Sequence, residues 1–326
     1  MNLNPGELLF NIHYQPQEVI DVSDTISRRS FLHVAGATAV SVCALAAPTL
    51  SVAKTKATVP ETAGVVKPLA FICGILKTQT QYLLKDTRVG TPFNIPVPFF
   101  LLKHGNDWVA FDTGNNAMVA KDPAKYWGKA VTNAYFPVMK DYEEFKVQIG
   151  KMGVEPKQIK AVIISHGHLD HAGAIDNFKG TKVPIYVQKK ELEVIKKAVA
   201  SGKKTAYIPD DFKVMNQLNI KAIEGVFDLF GDKTIVAFPS PGHTPGHQSL
   251  LVNCGGGKRL ILAADAMYTV ENMVDAIPPG LAWDIPRSLQ ALNIFKVMSY
   301  MDTEVVPSHD PGYWKKQTLA PKLFGT

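Results

Sequence analysis

The run His166-Gly167-His168-Leu169-Asp170-His171 puts three imidazoles and a carboxylate within six residues. Imidazole nitrogen and carboxylate oxygen are good donors to zinc and similar divalent cations, and ligands crowded on a strand-to-helix turn can converge on one point. A lone histidine is more often structural; three at this spacing beside an aspartate point to metal. More residues of the same kind follow the ends of apolar runs. They are Asp112 in FDTG, His243 and His247 in SPGHTPGHQS, Asp265 in LAADAMY, Tyr268 three positions on, and His309 in VPSHDP. Asp112 is read as a residue that caps or orients a ligand, and His247 as a hydrogen-bonding partner standing behind one.

The elements that must carry these residues read as short apolar runs bounded by Gly, Pro and Asn. Strands are expected at 69–76, 99–103 and 108–112, the last two joined by a turn from His104 to Asp107, then at 161–165 and 183–188. A second series is expected near 213–223, 234–238, 248–252, 259–264 and 304–308, with helices at about 140–151, 191–200 and 287–300. Two strand-rich halves, each with helices, predict sheets packed together and covered by helices. Gly255 to Gly257 lie between two strands and lack the Gly-Lys-Ser/Thr ending of a phosphate loop, so they read as a hairpin. The segment 115–137 holds Tyr126, Trp127, Tyr135 and Phe136 without clean periodicity, and is expected to be a lid, a binding loop or a subunit contact in a homodimer. Phe93, Phe100, Trp127 and Phe136 are guesses for pocket walls, although large aromatics more often sit in the core.

Composition narrows the classes. The chain has 326 residues, 46% hydrophobic and 20% charged, which suits a soluble globular protein with an ample core and excludes disordered, collagenous and coiled-coil readings. Cys43, Cys73 and Cys254 are too far apart for a metal knuckle and too few for a disulfide framework. The net charge is +6, yet dispersed lysines mostly serve solubility, so no nucleic-acid partner is expected.

Residues 27–53 read SRRSFLHVAGATAVSVCALAAPTLSVA: Arg28 and Arg29, then a mild apolar stretch interrupted by Pro48. This is the anatomy of a twin-arginine signal, too mildly apolar and too interrupted for a permanent membrane span. Small residues Ser51 to Ala53 suit cleavage before Lys54, with Ala44 to Ala46 as a second choice. The expected organisation is a leader at 1–53 and one hydrolase domain at 54–326, exported by the twin-arginine machinery to the periplasm or beyond. Val42 before Cys43 argues against a lipidation site. Because this route carries folded proteins, the leader hints at a cofactor acquired in the cytoplasm.

The combination of HxHxDH, GHTPGH, an aspartate after an apolar strand and a late histidine resembles the metallo-β-lactamase superfamily over almost all of residues 69–310. The resemblance implies an α/β fold, an αββα sandwich with two divalent metal ions at one edge. By it, His166, His168 and His243 hold the first metal, Asp170, His171 and His309 the second, and Asp265 bridges them. Zinc is the default among several metals such donors accept. Two cations so placed can activate a bridging hydroxide and stabilise charge on the attacked and departing oxygens, which is hydrolytic chemistry.

Within that superfamily, GHTPGHQSL, DAMYTVEN and the early NIPVPFFLL look most like the N-acyl-homoserine lactone lactonases, which quench quorum signals. The resemblance implies that Tyr268 donates to the lactone carbonyl and that Asp170 relays a proton to the leaving oxygen. An exported organophosphate hydrolase or broad esterase of the same fold is the alternative enzyme. A metal-binding member without turnover is less expected, because the ligand set is complete. Seventeen residues follow His309, which makes the glutathione-binding domain of glyoxalase II proteins an unexpected addition.

Overall fold

A computed structural model describes residues 65–325. The expected leader at 1–53 lies outside the described residues. Strand β1 (Val66–Gln79) pairs antiparallel with β2 (Pro92–His104), and β2 turns directly into β3 (Asp107–Phe111) through Gly105 and Asn106. The chain then forms α1 (Pro123–Tyr126), α2 (Lys129–Ala134), β4 (Phe136–Val138) and α3 (Phe145–Gly150). Next come β5 (Ile159–Ile163), β6 (Pro184–Gln188), α4 (Lys189–Ser201) and β7 (Asn219–Ile223). These strands make a seven-stranded sheet in the order β4-β1-β2-β3-β5-β6-β7, parallel from β3 to β7.

The second sheet has five strands in the order β12-β11-β10-β9-β8. It is built from β8 (Phe227–Asp228), β9 (Ile235–Pro239), β10 (Gln248–Gly255), β11 (Lys258–Leu262) and, after α5 (Val270–Val274) and α6 (Ile285–Ser299), β12 (Thr303–Val306). A last short helix, α7, spans Pro311–Trp314. No helix among the described residues is long and apolar enough to cross a membrane.

Side chains alternate across a strand, so a strand apolar at every position must be covered on both faces. In β2, Phe100 and Leu102 join Ile163, Leu250, Leu260 and Leu262 in the core between the sheets. Their neighbours Phe99 and Leu101 face outward into a cluster with Phe145, Ile149 and Phe178. In β11, Ile261 faces the other way, against Leu292 and Phe295 of α6. The result is the four-layer αββα sandwich.

Several elements differ from the sequence expectation. The strand expected near 213–223 begins only at Asn219, because Pro209–Phe212 and Met215–Gln217 close as single turns where Asp and Asn favour local bonding. The helix expected at 140–151 is split by extended Glu144 into a turn at Asp141–Glu143 and α3. The aromatic segment 115–137 is largely ordered structure, ending at β4, which pairs with β1 as an edge strand. Trp127 is fully buried in the core.

The polar residues gather at one edge of the sandwich. Asp112 follows β3, Ser165 and the histidine run follow β5, Ser240 follows β9, Asp265 follows β11 and His309 follows β12. Two non-glycine residues there occupy the left-handed region, Asp112 at φ 58° and Ala264 at φ 46°. Such conformations persist where surrounding bonds over-determine them, and both turn the chain sharply at a strand end beside the site.

Candidate metal centre

All seven residues named from the sequence as ligands are buried and fall into two groups, His166, His168, His243 and Asp265 in one, and Asp170, His171 and His309 in the other. Within the first, His243 Nε2 lies 3.1 Å from His166 Nε2 and 2.9 Å from His168 Nδ1. Asp265 Oδ2 lies 3.5 Å from His166 Nε2 and 3.3 Å from His243 Nε2. Its other oxygen, Oδ1, lies 3.0 Å from His171 Nε2 and 3.1 Å from His309 Nε2. Asp170 Oδ2 is 3.5 Å from His309 Nε2. One carboxylate thus faces both groups, one oxygen to each.

The far nitrogen of each imidazole decides which nitrogen is free. Carbonyl oxygens only accept, so His243 Nδ1–H donates to Leu281 at 3.0 Å and His309 Nδ1–H to Pro96 at 2.8 Å. His171 Nδ1–H donates to Asp112 Oδ2 at 2.8 Å. Ser165 donates to the same carboxylate from its backbone N–H at 2.7 Å and its hydroxyl at 2.8 Å, leaving its Oγ to accept from His166 Nδ1 at 3.0 Å. Asp112 therefore orients a ligand in each group. His168 is turned the other way, with Nδ1 in the cluster and its ring edge against Tyr207.

His247 stands behind the ligands. Its Nε2 accepts from the Asp265 backbone N–H at 3.1 Å, so its proton sits on Nδ1 and goes to Ser240 Oγ at 2.8 Å. Ser240 then bonds Ser249, which donates to Ala263 O. This directed chain fixes the backbone of Asp265, whose carboxylate faces both groups.

Sequence reasoning missed Glu191, although it organises the site. From the first turn of α4 its fully buried carboxylate accepts from Gly167 N at 2.9 Å, Tyr207 OH at 2.8 Å, Thr244 Oγ1 at 2.6 Å and Gly246 N at 3.2 Å. It ties the HGH loop to the GHTPGH loop. A Cβ on Gly246 would lie 2.0 Å from Glu191 N, which is why that position is glycine. Burial raises the Glu191 carboxyl above its usual range, and the four donors pull it back.

The donor set fits two divalent cations. A tetrahedron with bonds of ~2.0–2.1 Å has edges of ~3.3–3.4 Å, close to the spacing of the first group. His171 Nε2 and Asp265 Oδ1 are buried without a hydrogen-bond partner of proper geometry, as two lone pairs aimed at a common cation would be. Without a cation, burial opposes charging His171 and His309, but Asp265 and Asp170 outweigh it and raise both. In the other group burial drives His166 and His168 down, and His243 to about 4. Burial also resists ionising Asp265, yet His171 and His309 hold its carboxyl well below the ordinary range.

Beside the two groups lies a cleft lined by His168, Asp170, Asp265, Tyr268 and His309 at its polar end. Leu76, Leu83, Ile95, Val131 and Leu281 form apolar wall, with Tyr135 among them. None of Phe93, Phe100, Trp127 or Phe136 lines it. Phe100 and Trp127 are committed to the core, and Phe136 points to solvent.

This fold and this ligand arrangement place the chain in the metallo-β-lactamase superfamily, whose sequence profile matches residues 94–309. Among curated relatives, the N-acyl homoserine lactonase AttM of Azorhizobium caulinodans is 34% identical over 257 residues, covering 77% of this chain and 95% of the relative. AttM of Agrobacterium fabrum is likewise 34% identical over 257 residues. A solved N-acyl homoserine lactone hydrolase, with the product N-hexanoyl-L-homoserine at its catalytic metal centre, superposes with a TM-score of 0.70 at 26% identity. That match covers 80% of this chain and 99% of the other.

Proposed function

We propose that this protein is a dinuclear-metal hydrolase that opens the lactone ring of N-acyl homoserine lactones. The observation that carries the reading is the Asp265 carboxylate, shared between two buried ligand groups beside a cleft with one polar and one apolar end. Lactonase relatives matched over most of the chain supply the substrate class. The donor chemistry suits zinc, which we take as the native metal.

When bound, two such cations acidify a water and offset charge developing on the attacked and departing oxygens. Tyr268 supplies a directional donor. Its oxygen lies 3.2 Å from His243 Nδ1, whose proton is already directed to Leu281, so the phenol hydrogen is free for a substrate carbonyl. Burial, reinforced by Asp265, raises the Tyr268 pKa and keeps it a neutral donor. Water adds to the lactone carbonyl carbon, the ring C–O bond breaks, and the departing oxygen takes up a proton. Asp170, which lines the cleft with its Oδ2 3.5 Å from His309 Nε2, is our candidate to relay that proton.

The test is proton release by metal-loaded protein with short- and long-chain acyl homoserine lactones, beside a phosphotriester, a β-lactam and an aryl ester. Fast release with the acyl lactones is expected; dominance of the phosphotriester or aryl ester would replace the reading with the alternative enzyme. Tyr268→Phe is expected to keep both metals and lower kcat about 100-fold, the usual cost of one oxyanion donor. Unchanged kcat would remove its role.

We further infer export by the twin-arginine route, supported by Arg28, Arg29 and the mild apolar stretch after them. N-terminal sequencing of periplasmic protein should read from Lys54 or near residue 47; an intact Met1 terminus would refute it.

A further inference from the structure

Tyr135 follows α2 and immediately precedes β4, so both elements hold its backbone, and its N–H donates to Val131 O at 2.8 Å. The side chain is 9% exposed and lines the cleft, its ring tilted on Tyr82 at a centroid distance of 5.5 Å. Its hydroxyl is buried and has no hydrogen-bond partner. Thr78 Oγ1 stands beside it, donates its own proton to Ala134 O at 2.8 Å and keeps lone pairs that could accept, but no hydrogen bond of proper geometry joins the two hydroxyls.

A phenol buried without a partner is costly, and a protein keeps one where something else supplies the acceptor. Two other cleft residues carry unpartnered buried atoms, Asp265 Oδ1 and His168 Nε2, and both residues belong to the metal groups. Tyr135 does not. It is the polar exception in the apolar wall formed with Leu76, Leu83, Ile95 and Val131, yet Asp170 and Asp265 act on its hydroxyl electrostatically. Tyr135 is thus a polar side chain lining the same cleft as Asp170 and Asp265, on the wall that runs up to the junction of the polar and apolar ends. Burial first, then Tyr82 and these two carboxylates, raise its pKa, so it is a neutral donor.

An N-acyl homoserine lactone placed with its ring at the metal groups and its chain on the apolar wall brings one polar linkage to that junction, the acyl amide. We propose that Tyr135 is a specificity-determining residue whose O–H donates a hydrogen bond to the acyl amide carbonyl of the substrate. The proposal rests on the lactonase reading above and deepens it. It predicts that the protein distinguishes lactones by the amide and not only by the ring.

The experiment compares wild-type and Tyr135→Phe protein, both metal-loaded, on N-hexanoyl-L-homoserine lactone and on γ-butyrolactone, which has the ring without the amide. For the acyl lactone, kcat/KM is expected to fall about tenfold, equivalent to ~1.4 kcal/mol, mainly through KM. For γ-butyrolactone it should stay within about twofold, with metal content unchanged. The variant should melt at the same temperature or higher, because it loses a buried hydroxyl with no partner. Equal losses on both lactones, an unchanged acyl-lactone KM, or a lower melting temperature would overturn the assignment and make Tyr135 structural. A second comparison guards against misfolding: wild-type protein should prefer N-hexanoyl-L-homoserine lactone over an α-hexyl-γ-butyrolactone lacking the amide, and equal kcat/KM for the two would also overturn it. Failure of the wild-type protein to open any of these lactones would instead remove the lactonase reading itself.

Discussion

Asp265→Asn is expected to empty both metal groups and lower turnover by more than about 100-fold. Loss of an outer-shell partner alone typically costs ~10–100-fold in affinity or activity, and Asp265 faces both groups directly. Asparagine keeps the shape but removes the negative charge, and its amide nitrogen would point a donor at one of the two groups. The carboxylate now has Oδ1 at 3.0 Å from His171 Nε2 and Oδ2 at 3.3 Å from His243 Nε2, so neither oxygen can become nitrogen harmlessly. Elemental analysis after desalting gives the first readout. The second is melting with and without a chelator: a metal at ~1,000 times its Kd stabilises the folded state by ~4 kcal/mol, roughly 10 °C for a domain of this size. Wild-type protein should show that shift and Asp265→Asn should lose most of it. Two metals retained per chain at wild-type affinity would show that Asp265 is not a ligand.

The second large effect is expected at Glu191, outside the ligand set. Glu191→Ala leaves the backbone N–H groups of Gly167 and Gly246 buried without an acceptor, and frees the hydroxyls of Tyr207 and Thr244. Hydroxyls can rotate toward new partners, whereas backbone donors cannot. At ~1–3 kcal/mol for each orphaned donor, plus a cavity, the loss should be about 4 kcal/mol, or roughly 10 °C in Tm. The same substitution unties the loop of His166 and His168 from the loop of His243, so metal affinity should fall ~10–100-fold. Glu191→Gln keeps volume and one acceptor oxygen, and should fall between the two. A lower Tm with unchanged metal affinity would leave Glu191 a packing residue and end its role as the tie between loops.

These two residues differ in how readily the chain discloses them. Asp265 is legible because it follows the apolar run LILAA and belongs to a set of strings whose chemistry has one economical explanation. Glu191 sits in KKELEVIKK, where an acid among lysines at a helix start reads as a solvated face. A weak signal was present in Gly246, since a glycine between two histidine-bearing turns suggests close approach of another backbone. What approaches it is α4, 55 residues earlier in the chain. In the sequence Tyr135 is only one aromatic in an aperiodic segment. Its importance depends on a missing hydrogen bond, a property of its surroundings.

The strands show the same division. Continuous apolar runs such as FFLLK and AVIIS predict burial on both faces from local sequence, because period-two alternation leaves no polar side to expose. The split helix near 140–151, the late start of β7 and the edge strand β4 depend on turns and pairing partners far along the chain. Large aromatics were poor guides to the cleft wall, since Phe100 and Trp127 gain more from core burial than from a half-open pocket.

By itself the sequence determined the donor types and spacing, the strands that carry them, and hence the superfamily, because ligand chemistry and side-chain alternation are local properties of the chain. Tertiary structure decided which oxygen of Asp265 faces which group, which nitrogen each histidine presents, which atoms Asp112 and His247 reach, and that Glu191 ties the ligand loops together. The reason is physical: a hydrogen bond sets tautomer and orientation only when its partner arrives within about 3 Å. Here those partners come from other strands and loops, as Pro96 does for His309, 213 residues away.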